Sequence, residues 1–235
     1  VKVSILVAFR DTSEDGWRTT LWDYIRRRLE REYGFEIVVG TDDGIDPFHK
    51  TLALNRAAAQ ASGDVFWIHD SDTWAPPAQI HATTAGIGWD LSRWWRPYFR
   101  KVKLKEAETR LALEDQNYVF TFERKRNHYE RVTSYWAAPP LFVPRAIFED
   151  VGGFDERHRG WGQEDEDFAK ALRVLHGEPM HVSGDVFHLW HPRLGMSGRD
   201  LWPGQEEHGS NVALSRSYAR ARTPQQMRRV LEGMR

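Results

Sequence analysis

Val65-Phe66-Trp67-Ile68-His69-Asp70-Ser71-Asp72-Thr73 is the stretch on which the fold turns. Its apolar half reads as a short buried strand. That strand delivers an Asp-x-Asp at its C-terminal edge. Upstream, an Ala- and Leu-rich helix over Thr51 to Ala61 ends at Ser62-Gly63-Asp64, and a strand over Glu36 to Val39 runs into Gly40-Thr41-Asp42-Asp43-Gly44. Earlier still, Trp17, Leu21, Ile25 and Leu29 recur at helical spacing until Tyr33-Gly34. Val3 to Ala8 alternates and is β-branched, a first strand closed by Phe9-Arg10-Asp11-Thr12-Ser13 with its helix N-cap signal.

This β-α-β-α-β order predicts an α/β fold: a mostly parallel, twisted, Rossmann-like sheet with right-handed crossovers, flanked by helices. Ligands of such sheets bind outside the C-terminal strand ends. Arg10, Asp42 and Asp72 all fall there. Downstream, Pro76-Pro77 breaks the pattern, and Trp89 to Arg131 is aromatic, basic and only partly periodic. It reads as a helical or irregular insertion over the sheet, holding an acceptor surface. Leu141 to Pro144 is a further strand, Phe168 to Leu175 continues a helix, Met180 to Trp190 is a late strand region, and a loop and helix close the chain.

The chain has 235 residues, 40% hydrophobic, no Cys and a net charge of −1. It suits one large domain. Missing Cys excludes a disulfide scaffold and thiol chemistry. Near-neutral charge argues against nucleic acid as a partner. No apolar run approaches the roughly 20 residues of a membrane span. Without an anchor or disulfides, a cytoplasmic, bacterial or viral setting is expected. Basic stretches from Arg93 to Arg131 and from Arg216 to Arg235 are either solvated helix faces or a surface for an anionic acceptor. The 11 Trp offer planes for carbohydrate, although most suit a core equally.

No phosphate loop is present, since Gly86-Ile87-Gly88 lacks a third glycine and a preceding strand. Phosphate must be held otherwise. Asp70 and Asp72 can turn hard oxygen ligands toward one divalent ion, and Asp-x-Asp gains weight here from its place at a buried strand end. Gly160-Trp161-Gly162-Gln163-Glu164-Asp165-Glu166-Asp167 places four carboxylates at a helix start, where the helix dipole favours them. At helical spacing Glu164 and Asp165 point in different directions, so at most two of the four should share a site. Asp165 could act as general base while Glu164 orients a sugar hydroxyl. In His188-Leu189-Trp190-His191 the two histidines would face opposite sides of a strand, which argues against their sharing an ion. Either could complete a mixed N/O site suited to Mn²⁺, or serve structurally.

Gly152-Gly153-Phe154-Asp155-Glu156, leading into Gly160-Trp161-Gly162-Gln163-Glu164-Asp165, resembles the C-terminal motif of the β-1,4-galactosyltransferase group and its GT-A relatives, including the polypeptide N-acetylgalactosaminyltransferases. Ala8-Phe9-Arg10 is similar to the family's Pro-Phe-Arg at the nucleotide, and Phe48-His49-Lys50-Thr51-Leu52-Ala53-Leu54-Asn55 to its Phe-Asn-Arg-Ala-Lys-Leu-Leu-Asn. Asp70-Ser71-Asp72 stands at its Asp-x-Asp, and Phe187-His188 at its late metal-binding His. The resemblance covers most of residues 3 to 192, with 74 to 134 unmatched.

The resemblance implies a GT-A fold and a glycosyltransferase dependent on Mn²⁺ or Mg²⁺. A sugar of the Gal, GalNAc, Glc or GlcNAc type would pass from a UDP-sugar to an acceptor hydroxyl, with inversion. Asp72 and His188 would ligate the metal, with Asp70 and Asp185 as further candidates. Asp70 would bear on the nucleotide end, together with Ala8, Phe9, Arg10, Asp42, Phe48, Lys50 and Asn55. Asp165 would be the base. Glu164, Trp136, Trp161 and Gly162 would meet sugar or acceptor, Trp161 as a closing loop between glycine hinges.

On this reading residues 1–75 form the nucleotide-binding half of a single domain, 76–135 the acceptor-side insertion, 136–192 the donor-sugar and catalytic half, and 193–235 the C-terminal loop and helix. Departures are Gln163 for Gly, Glu166 for Asp, and Lys50 for Arg, which loses bidentate geometry. The alternatives are a retaining transferase of the N-acetylgalactosaminyltransferase type, a two-metal phosphoesterase or nuclease, and a non-catalytic carbohydrate-binding module using the many Trp.

Overall fold

A computed structural model describes residues 1–13, 15–44, 46–122, 129–133, 138–160, 162–192 and 205–234. The first half follows the predicted order: β1 (Val3–Ala8), α1 (Trp17–Tyr33), β2 (Glu36–Gly40), α2 (Lys50–Gln60), β3 (Val65–His69), β4 (Thr73–Trp74) and α3 (Pro77–Trp89). It continues through β5 (Trp95–Arg96), β6 (Arg100–Leu104), α4 (Glu106–Glu114), β7 (Tyr129–Thr133), β8 (Leu141–Pro144) and α5 (Arg145–Asp150). The chain closes with α6 (Glu164–His176), β9 (Met180–His181), β10 (Asp185–His188), α7 (Gln205–Arg220) and α8 (Pro224–Glu232).

The main sheet runs β2-β1-β3-β8-β5-β9. β1 lies parallel to both β2 and β3, while β8 is antiparallel to β3 and to β5. Period-two alternation sorts its side chains between two cores. Ile5, Val7, Val65, Trp67 and Phe142 face α1 and α3, where they meet Leu21, Ile25, Leu29, Ile80 and Ile87. Leu6, Phe66, Ile68, Leu141 and Val143 face the other way, toward Leu54, Ala57, Phe148, Phe168, Leu172, Tyr218 and Met227. Burial on both faces explains why β3 reads as an unbroken apolar run. At Gly40 a Cβ would stand 1.8 Å from the Ala53 carbonyl oxygen, so glycine is what lets α2 lie against β2.

Several expectations need correction. The insertion is helical or irregular only in part: it carries α4, but β6 and β7 pair antiparallel and join β10 and β4 in a second sheet ordered β4-β10-β6-β7. Its signal is short: Lys101 and Lys103 alternate with Val102 and Leu104. Nor are its basic residues all a solvated face, for Arg96 and Lys101 are buried and Arg100 pairs with Asp185. Pro77 does not break the chain's order but occupies the first turn of α3, where proline is tolerated. The N-cap of α1 is Gly16; the Asp11 carboxylate instead accepts from the Ser13 and Thr19 backbone amides. Two helices close the chain, α8 capped by a reciprocal Thr223–Gln226 box. Among the described residues no helix is long and apolar enough to cross a membrane.

Candidate active site

Loops at the C-terminal ends of β1, β2 and β3 meet the starts of α2 and α6. At the outer end, Asp42 accepts hydrogen bonds from the backbone amides of Gly44 (3.2 Å) and His49 (3.0 Å), and its Oδ1 pairs with Arg10 Nε at 3.1 Å. Arg10 also reaches Asp46 at 2.8 Å, and its guanidinium carbon lies 5.6 Å from the Phe48 ring centroid. Arg10, Asp42 and Phe48 are thus neighbours. Ala8 pairs with Gly40 at the end of β1. Phe9 turns inward onto Trp22, ring centroids 6.0 Å apart, so its side chain packs in the core.

Asn55, expected at the donor, is hydrogen-bonded within the fold. Its amide donates to the Phe154 carbonyl (2.8 Å) and Glu156 Oε1 (2.9 Å), and its oxygen accepts from the Phe154 amide (2.9 Å). This ties the Gly152-Gly153-Phe154 turn to α2. A Cβ at Gly153, whose φ is 74°, would stand 2.6 Å from Asn55 Oδ1. Two reasons for that glycine therefore coincide.

Between strand β3 and helix α6 stands Lys50. Its Nζ is 2.9 Å from each oxygen of Asp165, 3.1 Å from Asp70 Oδ1 and 3.8 Å from Glu164 Oε1. Glu164 and Asp165 both approach one cation, so consecutive positions in the first helical turn do not separate them as their angular spacing suggested. The longer Glu side chain closes the gap, and its other oxygen accepts from the Gly162 amide at 2.8 Å. Burial, with Glu164 and Asp70 nearby, pushes the Asp165 carboxyl up to about 7 against the pull of Lys50. Burial works against charge on Lys50, but Asp165, Asp70 and Glu164 outweigh it and hold the ammonium protonated. Asp70 is buried too, yet Lys50 and Lys101 keep it well below the ordinary carboxylate range. Lys101 Nζ lies 3.2 Å from Asp70 Oδ2.

The remaining members of the acidic run diverge. Asp167 is buried, with Oδ2 2.9 Å from His158 Nε2 and Oδ1 accepting from Ser215 at 2.8 Å. Gln163, at the helix start, has φ 74°, the left-handed conformation that glycine usually supplies. Gly162 has φ 109°, and a Cβ there would stand 2.7 Å from His208 Nδ1. Trp136 and Trp161 lie outside the described residues.

Asp72, His188 and His191 form the candidate metal site among the described residues, one ligand atom of each lying within 4.8 Å of the others. His188 Nε2 is 3.6 Å from Asp72 Oδ1 and His191 Nε2 is 3.5 Å from Oδ2. The argument that the two histidines face opposite sides is overturned. β10 ends at His188, the Leu189 amide then donates to the Asp72 carbonyl (2.9 Å), and the Trp190 amide donates to Thr109 Oγ1 (2.8 Å). Strand alternation stops there, and the rings come together with centroids 5.3 Å apart. Asp185 does not join them: both its oxygens are bonded to Arg100, at 2.6 and 3.0 Å.

The donor set fits a divalent ion. Burial lowers the His188 pKa to about 3 despite Asp72, and burial also lowers His191, so both rings are neutral and able to ligate. His191 Nδ1 stands 3.0 Å from the Pro192 carbonyl, which places the proton there and leaves Nε2 as the ligand atom. Asp72 is buried, yet His188, His191 and Arg18 bring its pKa down to about 2. Two imidazoles and a carboxylate suit Mn²⁺ or another borderline cation better than Mg²⁺. Arg18 Nη1 bonds Asp72 Oδ2 at 2.8 Å. Arg18, Lys101 and His191 were not assigned to the site by sequence reasoning; only the His-x-x-His spacing carried a signal for any of them.

A family model described as the N-terminal domain of galactosyltransferase matches residues 122–192. No curated protein matches the chain in sequence. Among solved structures, GalNAc-T7 with UDP, GalNAc and Mn²⁺ is similar at 14% identity and TM-score 0.54, over 93% of this chain and 50% of its own. Residues 1–349 of TarS from S. aureus align at 14% identity and TM-score 0.47, over 80% of this chain and 60% of theirs. The catalytic domain of Drosophila β1,4-galactosyltransferase 7 with xylobiose aligns at 18% identity and TM-score 0.41, over 77% and 64%. The chain thus spans half the length of GalNAc-T7 and under two thirds of the other two. The chain thus has the GT-A fold that it shares with GalNAc-T7, and its residues 122–192 match the galactosyltransferase N-terminal-domain model.

Proposed function

We propose that the chain transfers a sugar from a UDP-sugar of the Gal, GalNAc, Glc or GlcNAc type to an acceptor hydroxyl, with a divalent metal and with inversion. The observation that carries this is the convergence of two groups on one strand end: Asp72 with His188 and His191, and Asp70 with Lys50 and Asp165. The GalNAc-T7 structure holds UDP, GalNAc and Mn²⁺, in keeping with such a pairing of nucleotide and metal. Asp72, His188 and His191 would hold the ion, which would supply positive charge against the departing diphosphate.

The chain's own residues account for the rest. Arg10, Asp42 and Phe48 offer a polar and aromatic surface for the nucleoside. Asp165 takes the acceptor O–H proton as that oxygen bonds the anomeric carbon and the bond to the diphosphate breaks, and a carboxylate poised near neutrality suits this task. A two-metal phosphoesterase is the poorer reading, because Lys50 fills the space between Asp70 and the acidic run with an ammonium. The test is to incubate the protein with Mn²⁺ and a panel of nucleotide sugars, and to follow release of the nucleoside diphosphate. Release from a UDP-sugar that stops on chelation supports the reading. Hydrolysis of simple phosphoesters without sugar transfer would sink it.

A further inference from the structure

An ammonium has three N–H donors, and Lys50 has three carboxylate oxygens at hydrogen-bond distance: both of Asp165 and one of Asp70. While those contacts stand, Lys50 has no donor left for a ligand. Asp165 is equally committed, since both its oxygens accept from the ammonium and must give up that contact to accept from a hydroxyl. The arrangement therefore opposes two tasks at once, that of a cation meeting phosphate and that of a base meeting a hydroxyl.

We propose that Lys50 is an electrostatic interlock, masking Asp165 until an anionic phosphate of the nucleotide donor draws the ammonium away. This rests on the donor site proposed above. Lys50 is a positioning residue in this scheme, acting through Asp165. Three features make the exchange feasible. Lys50 keeps 20% side-chain exposure and ends in a compact charge on a flexible stem, which changes partners more readily than an Arg fork. Asp70 retains Lys101 at 3.2 Å, so the departure of Lys50 does not leave it unpaired. Asp165, once released, is left beside Glu164 and Asp70, and like charges at short range raise its affinity for a proton.

The test is the affinity for UDP alone, measured calorimetrically with Mn²⁺ present, in the wild type, Asp165→Asn, Lys50→Met and the double variant. If the phosphate must compete with Asp165 for the ammonium, Asp165→Asn tightens UDP binding by about tenfold, and by less than about threefold in the Lys50→Met background. Unchanged or weaker binding in Asp165→Asn overturns the interlock, because it means Lys50 serves UDP without leaving the carboxylate. Equal tightening in both backgrounds also overturns it, reducing the effect to simple repulsion between Asp165 and the ligand. Asp165→Ala gives the same comparison should the amide variant fail to fold, as judged by circular dichroism. A wild type that binds no UDP overturns the donor reading and the interlock together, whereas UDP binding without the tightening overturns the interlock alone.

Discussion

His188 Nε2 stands 3.6 Å from Asp72 Oδ1, although 116 positions separate the two in the chain. The antiparallel register of β10 on β4 brings them together by pairing His188 with Thr73. The carboxylate comes from the turn after β3, and the imidazole from the end of a strand in a different sheet. His191 reaches the second oxygen of the same carboxylate.

His191→Ala is therefore expected to weaken Mn²⁺ binding as severely as His188→Ala does, by about 10- to 100-fold or more. Calorimetric titration of Mn²⁺ into each variant checks this. Full affinity in His191→Ala would return the site to Asp72 and His188 alone.

Asp165→Asn should retain UDP and lower turnover by about 100- to 10,000-fold, the usual contribution of a positioned base. In the wild type, activity should rise with pH through about 7, because the carboxyl is pushed up to that value and the base works only when deprotonated. A profile of kcat/KM against pH, run at saturating Mn²⁺, reads this limb. If the limb is the same in Asp165→Asn, another group is the base.

Gly40→Ala should cost about 1–3 kcal/mol in stability, since its methyl group would meet the Ala53 carbonyl oxygen at 1.8 Å and force α2 away from β2. Denaturant unfolding measures the loss. Gly16, whose added Cβ would meet nothing within 4 Å but whose φ is 70°, provides a contrast in which only backbone strain acts.

The buried pair of His158 and Asp167 links the Gly160 turn to α6 and, through Ser215, to α7. Burial disfavours the imidazolium, but Asp167 and then Asp155 outweigh it, and the His158 pKa is raised. A pKa raised on folding contributes stability that is complete below the unfolded value of about 6.5 and is lost as pH rises through the folded value. The stability gap between wild type and Asp167→Asn should accordingly shrink on going from pH 5.5 to pH 8.5. A gap that widens would place the proton on a different group.

Two kinds of information met unequally at this site. Arg10, Asp42, Asp70 and Asp72 were legible because local strands end just before them, and strand ends in a parallel sheet are where ligands gather, whereas Phe48 was legible only through the family motif. Asp165 and Lys50 were legible as separate residues, through the acidic run and the family motif. Their contact was not. β6 escaped notice because a five-residue strand carries little periodicity of its own, and it holds its shape by pairing with β10 and β7.

By itself the sequence determined the β-α-β-α-β order, the two-sided burial of β3 and the residues at its C-terminal edge, since each follows from periodicity within a dozen positions. Tertiary structure alone decided that His191 turns toward Asp72, that Lys101 comes inward to Asp70 and that Lys50 bridges Asp70 and Asp165. Those directions depend on where the chain leaves a sheet and on which distant element packs against it. The hydrogen bond from the Leu189 amide to the Asp72 carbonyl, which ends the strand alternation, joins segments that no local pattern connects.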